Sequence, residues 1–216
     1  MSDLAAIEAW IRTELDYKNA ARERALAASR ELTRLCANAI RAVHRSDTAQ
    51  ADALMQQARE RNAEIVDLLG PHADLYYAGY VQDAQKELVE AECTRRLVFG
   101  EALPDPTATG VAAAPFVNGL AEAVGELRRF LLDQLRQNDL TRAEALLESM
   151  DEIYSLLVTI DYPDALTGGL RRTTDATRAI LERTRGDLTV ALRQQRLERA
   201  LQGLESRLPS ASEPRP

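Results

Sequence analysis

The sequence predicts an all-α protein built as an antiparallel bundle of long helices. Three observations carry this expectation. Apolar residues recur at the three- and four-residue spacing of helices along most of the chain, no segment alternates with the two-residue period of a strand, and Gly and Pro gather at a few breaks. Composition agrees. Apolar residues make up 45%, charged residues 28% and aromatics only 5%, and the abundant Ala, Leu, Arg and Glu are good helix formers.

The first helical pattern starts with Leu4, Ile7, Ile11 and Leu15 and continues over residues 17–44, where Leu26, Leu32, Leu35, Ala39, Ile40 and Val43 mark the apolar side. Trp10 is expected to anchor its start. Ser46-Asp47-Thr48 supplies a break and a cap, and a second helix covers 48–69, stopped by Gly70-Pro71. A third is predicted over 72–99. Pro104, Pro106, Gly110 and Pro115 then mark a loop, followed by helices over 116–138 and 141–159, with a turn at Asn138-Asp139. Tyr162-Pro163 breaks the chain before a last helix over 166–208, with a split at Gly168-Gly169. Met55 and Met150 are core candidates. Residues 1–208 read as a single domain, since 216 residues suffice for one large core. Residues 209–216, rich in Ser, Pro and Glu, read as a disordered tail.

Cys36 and Cys93 lack CxxC spacing and read as small buried thiols of a reduced compartment. Asp3, Glu8 and Arg12 interrupt any signal-peptide pattern, and no run of about 18 apolar residues exists. A cytoplasmic location is expected.

A formal net charge of −7 disfavours nucleic-acid binding unless positive residues are segregated. Arg30, Arg34, Arg41 and Arg45, spaced four, seven and four, keep to one stripe of a helix. Guanidinium groups in a row suit phosphates, each offering a planar fork of donors. Few aromatics accompany them, so contact would run to the backbone with little sequence specificity. Balanced by Glu23 and Glu31, the same stripe would be an ordinary solvated face.

Asp161-Tyr162-Pro163-Asp164-Ala165-Leu166-Thr167-Gly168-Gly169-Leu170-Arg171-Arg172-Thr173-Thr174-Asp175, followed by Arg178 and Leu181-Glu182-Arg183-Thr184-Arg185-Gly186-Asp187, resembles the C-terminal signature of the translin family, which comprises translin and translin-associated factor X. Ser29-Arg30-Glu31-Leu32-Thr33 resembles the family's first long helix. Glu87-Leu88-Val89-Glu90-Ala91 and Gly119-Leu120-Ala121-Glu122-Ala123-Val124-Gly125-Glu126-Leu127 resemble the two segments that hold the catalytic carboxylates of the factor-X branch. The resemblance spans roughly residues 15–200 and is that of a single-subunit prokaryotic member. It implies a bundle of about seven helices, assembly into a closed, roughly octameric shell, and a metal-dependent endoribonuclease acting on short single-stranded or mismatched RNA, with single-stranded DNA as a second ligand. A non-catalytic RNA- or DNA-binding protein in the manner of translin is the alternative, and a helical assembly protein sharing only the fold is the third reading.

Glu87 and Glu90, three apart, lie within about 60° on one helical face, and Glu122 and Glu126, four apart, within about 40° on the next helix. If those helices pack antiparallel, four carboxylates converge between them. Mg²⁺ and Mn²⁺ want oxygen ligands. By resemblance, Glu90, Glu122 and Glu126 are the metal ligands and Glu87 is a ligand or water-positioning base. Glu122 stands where the factor-X branch usually has Asp, one methylene shorter. Read without the resemblance, such pairs are solvated helix faces, with Arg95, Arg128 and Arg129 as their counter-ions. Arg171, Arg172 and Arg178, near Asp161, Asp164 and Asp175, read as ion pairs that build the fold or subunit contacts. No Glu-x-x-His motif of a di-iron bundle is present, and His44 and His72 are expected to stand apart from the carboxylates.

Overall fold

A computed structural model of the protein describes residues 3–206, so the tail over 209–216 lies outside the described residues. Among them there is no strand. Helix α1 runs Leu4–His44, α2 Thr48–Leu69, α3 Ala73–Tyr76, α4 Gly79–Val98, α5 Ala113–Arg136, α6 Leu140–Leu157, α7 Asp164–Thr167 and α8 Leu170–Glu205. A short 3₁₀ turn, Pro106–Ala108, interrupts the loop before α5.

The caps explain where the long helices start. Asp3 accepts from the backbone N–H of Ala5 and Ala6, Asp47 from Gln50, and Asp139 from Arg142. Ser46 (φ 57°) and Asn138 (φ 60°) take the left-handed conformation that turns the chain between α1 and α2 and between α5 and α6. Both turns are short and so lay consecutive helices side by side, antiparallel.

Two boundaries depart materially from expectation, and a third agrees. The helix predicted over 72–99 is broken: Ala78 is extended (φ −70°, ψ 144°), and α4 begins at Gly79. The break is stabilised because the Gln82 side chain donates to the Tyr76 carbonyl at 2.9 Å, satisfying an acceptor the ended α3 leaves open. Helix α5 starts three residues early, with Pro115 inside it. Pro115 is its third residue, where the missing N–H is one the helix leaves unbonded in any case. The last helix is split at Gly168 (φ 63°) and Gly169 (φ 87°), the residues read as the split in the sequence.

The core is one cluster drawn from α1, α2, α4, α5, α6 and α8, with Met55, Met150, Leu127, Leu131 and Leu181 among its most enclosed side chains. Cys36 and Cys93 are buried free thiols. Trp10 does not anchor the start of α1; it is 66% exposed, and Leu4, Ile7, Ile11, Leu15 and Tyr17 are exposed with it. The reason is length: the apolar face that packs the core from Ala21 onward continues past the end of the bundle, where no other described helix covers it. At the far end of α8, Val190, Leu197, Leu201 and Leu204 are likewise exposed. No described helix is long and apolar enough to cross a membrane.

Candidate metal centre

The site forms where α4 and α5 approach closely. At Gly119 of α5 the helices are so near that an added Cβ would lie 2.4 Å from the Lys86 carbonyl oxygen, 2.8 Å from Val89 Cβ and 3.1 Å from the Glu90 nitrogen. Only glycine fits there. The approach brings Glu87 and Glu90 of α4 against Glu122 of α5, with one carboxylate oxygen from each within 4.8 Å of the others. The Lys86 ammonium bonds Glu122 Oε1 at 2.8 Å.

Glu126, the fourth carboxylate, lies one turn beyond Glu122 and is not one of the converging three. His44 Nε2 of α1 bonds its Oε2. The expectation that His44 stands apart from the carboxylates is thus overturned. The two residues are 82 positions apart, so no local spacing announces a pair that α1 packing on the bundle creates. The His44 side chain is 7% exposed. Its ring is tilted against Phe130 at 6.3 Å between centroids, and its Nδ1 is buried without a partner. With a carboxylate facing Nε2, that nitrogen carries the proton and donates it. His72 stands apart from the centre, against Tyr17.

The counter-ions expected from the sequence are mostly engaged elsewhere. Arg95 pairs with Asp52 and Glu101, each at 2.6 Å, and Arg128 with Asp187 at 2.7 Å and with the Thr184 hydroxyl. Arg129 alone reaches the cluster, 3.8 Å from Glu126 and largely exposed, a contact of little energetic weight. Negative charge is therefore under-compensated. Burial, then the charges of Glu87, Glu122 and Glu126, push the Glu90 carboxyl up to about 8. Burial also raises Glu87, against the opposing pull of Lys86. Glu126 is shifted the other way, held low chiefly by the hydrogen bond from His44. Neighbouring carboxyls whose environments drive them apart in this manner are suited to different chemical tasks. Cys36, buried behind the centre, has its thiol raised by burial and by Glu87 and Glu90.

The donor set fits a hard divalent cation. Mg²⁺ binds oxygens at about 2.0–2.1 Å, which sets ligand oxygens roughly 3–4 Å apart, and the trio, within 4.8 Å, needs only small side-chain adjustments to close on such an ion.

Arg30, Arg34, Arg41 and Arg45 are all exposed on the side of α1 away from the core. Among the described residues Arg34 reaches Glu31 at 3.8 Å, Arg41 bonds Asn38, and Arg30, Arg41 and Arg45 make no salt bridge. Arg41 precedes His44 by three residues, about 60° around the helix, so the stripe runs beside the edge of α1 that meets the carboxylates. The ion pairs expected around Arg171, Arg172 and Arg178 do not build the fold. Arg171 reaches Asp161 at 3.8 Å with both side chains exposed, and Arg178 pairs with Glu182. What secures this segment is Asn118, buried in α5, which donates to the Thr167 carbonyl at 2.6 Å and accepts from the Thr173 hydroxyl at 3.0 Å.

No family profile matches the chain. An uncharacterized protein of Methanocaldococcus jannaschii is 31% identical over 192 residues, 88% of this chain and 85% of that protein. The crystal structure of AfC3PO superposes with a TM-score of 0.77 at 34% identity, covering 84% of this chain and 94% of that one. The structure of AfC3PO in complex with duplex RNA gives 0.67 at 33% identity over the same shares. Apo-NeC3PO gives 0.77 over 88% of this chain and 98% of its own, at 16% identity, a likeness of fold alone.

Proposed function

The chain belongs to the translin family, and from that footing we propose that it is an endoribonuclease using Mg²⁺ or Mn²⁺ at Glu87, Glu90 and Glu122 and holding RNA by its phosphates along Arg30, Arg34, Arg41 and Arg45. The observation that carries the reading is the trio itself: three carboxylates converging within 4.8 Å, with Lys86 as their one close cation among the described residues. A bound ion there would orient a water and stabilise charge on the phosphoryl oxygens. Glu90 and Glu122 are ligands by both resemblance and geometry. For the third ligand the geometry favours Glu87, leaving Glu126 as the carboxylate beside the water, an exchange of the two roles the resemblance implies. Lys86 holds Glu122 in place before the ion arrives.

AfC3PO has been solved with duplex RNA, which accords with recognition of the sugar–phosphate backbone. Short single-stranded or mismatched RNA remains the expected substrate, with single-stranded DNA as a second ligand. The unpartnered apolar faces of α1 and α8 support self-assembly, and the family's closed, roughly octameric shell would turn copies of the arginine stripe inward. That arrangement reconciles a net charge of −7 with phosphate binding, in a protein of the cytoplasm. One observation favours the alternative of a non-catalytic binder: Lys86 already supplies a cation to Glu122.

The test is incubation of purified protein with labelled single-stranded RNA, and with its duplex, in Mn²⁺ or in EDTA. Cutting in Mn²⁺ that stops in EDTA is expected; binding without cutting would make the binder the better account. Replacing Arg30, Arg34, Arg41 and Arg45 with Gln should weaken RNA affinity about 10- to 10³-fold and reduce the slope of log affinity against log salt by about 3, since each single-strand phosphate contact contributes about 0.7. Unchanged affinity would reduce the resemblance to one of fold.

The raised Glu90 carboxyl sets a pH dependence. Above its ordinary value of 4.5 the unfolded chain has lost this proton, whereas the folded cation-free protein keeps it up to about 8. Cation-free stability therefore declines between those values as pH rises. A divalent cation takes the ionised form and displaces the proton. The rise in melting temperature produced by saturating Mn²⁺ should grow from pH 6 to pH 8.5; an increment that does not vary with pH would contradict this assignment.

A further inference from the structure

We propose that His44 is a positioning residue that holds the Glu126 carboxylate out of the three-carboxylate nest, so that cation binding and water orientation fall to different groups. The inference rests on the proposed cation site and deepens it. Glu126 follows Glu122 by one turn on the same face of α5, and its charge is felt by both Glu87 and Glu90. Left free, its flexible side chain could turn into the nest and add a fourth oxygen. It does not belong to the converging trio, because its Oε2 is taken by His44.

The donor is well made for holding. His44 comes from a different helix, and its side chain is 7% exposed. Its ring packs on Phe130, so it has little freedom to follow the carboxylate. Arg129, the cation near Glu126, is 62% exposed and 3.8 Å away, too loose to fix a side chain. Stability alone does not account for a histidine here. Nδ1 is buried without any partner among the described residues, which works against folding, so what the histidine supplies at this position is its one bond, from Nε2 to Glu126. An imperfectly satisfied buried group kept at such a position points to a task at the site it faces. Holding Glu126 aside leaves an ionised carboxylate next to the nest, available to accept a hydrogen bond from water, while Glu87, Glu90 and Glu122 are left to the cation.

The experiment compares Mn²⁺ binding, read from the electron paramagnetic resonance signal of the free ion, for the wild type, His44→Leu, His44→Gln and His44→Leu combined with Glu126→Gln. RNA cleavage is followed in parallel. Freed by His44→Leu, Glu126 joins the nest, and Mn²⁺ binding should tighten about 3- to 10-fold while kcat falls about 10- to 100-fold at unchanged KM, the range typical of outer-shell partners. His44→Gln, whose amide nitrogen reaches about the Nε2 position, should return both towards wild type. The double variant should lose the added Mn²⁺ affinity. Weaker Mn²⁺ binding in His44→Leu would overturn the proposal by making Glu126 a ligand that His44 orients, and unchanged binding would reduce His44 to a packing residue. The Mn²⁺ comparison decides the matter even if the wild type does not cut RNA, in which case the nuclease reading fails separately. A wild type that binds no Mn²⁺ overturns both. Circular dichroism checks that each variant is folded.

Discussion

Glu90→Ala is expected to remove cation-dependent RNA cleavage, by about 10³-fold or more, with RNA affinity unchanged. The cation's stabilisation of phosphoryl charge amounts to several kcal/mol, and Glu90 contributes one oxygen of the trio that would hold it. The arginines of α1 are untouched, so binding and cutting should separate cleanly. The variant should also show a gain. Glu90 is the carboxyl most disfavoured as an anion, raised by burial and by three neighbouring carboxylates, so near pH 8 the cation-free variant should melt higher than the wild type. The increment that Mn²⁺ adds to the melting temperature should be lost at the same time. Such opposition between stability and activity is common where like charges are gathered for function. Cleavage that survives Glu90→Ala would point to a contaminating ribonuclease, and a variant that melts lower without cation would remove the crowded-carboxylate account.

The bundle was legible because it is written in local spacing. Caps at Asp47 and Asp139 and glycines at 168 and 169 act within a turn of their own positions, and residues three or four apart on a helix must share a face. That logic placed Glu87 with Glu90 and Glu122 with Glu126. It could not say which of the four would meet across helices, because that depends on how α4 and α5 pack. It missed His44 for the same reason. It assigned Arg95 and Arg128 to the glutamates by nearness in sequence, whereas in space Asp52, Glu101 and Asp187 are closer partners. The Trp10 expectation failed differently. An apolar face on a helix predicts that something will cover it, and the sequence of one chain does not reveal that the bundle ends before that face does. Ala78–Gly79 breaks a pattern periodicity would carry through, since the gain that favours the break, the Gln82 bond to Tyr76, is a side-chain contact six residues apart.

Gly119→Ala is expected to destabilise the protein and to weaken the cation site together. In an open helix position, replacing Gly with Ala stabilises by about 0.5–1 kcal/mol. Gly125, six residues on in the same helix, is such a position, with nothing within 4 Å of an added Cβ, and Gly125→Ala should show that gain. At Gly119 the added Cβ would lie 2.4 Å from the Lys86 carbonyl oxygen and 3.1 Å from the Glu90 nitrogen. Both are backbone atoms of α4 and cannot rotate away, so the helices must part. Overpacking of this kind costs about 1–3 kcal/mol, enough to outweigh the gain in propensity and to lower the melting temperature by roughly 2–8 °C in a protein of this size. The strain falls on the turn of α4 that carries Glu87 and Glu90, so their oxygens must move away from Glu122. Mn²⁺ affinity should therefore drop in Gly119→Ala and hold in Gly125→Ala. If both variants gain stability alike, the close approach of α4 and α5 is not what brings the carboxylates together. If Gly119→Ala loses stability but keeps its Mn²⁺ affinity, the helices yield elsewhere and the nest tolerates a wider spacing than its geometry implies.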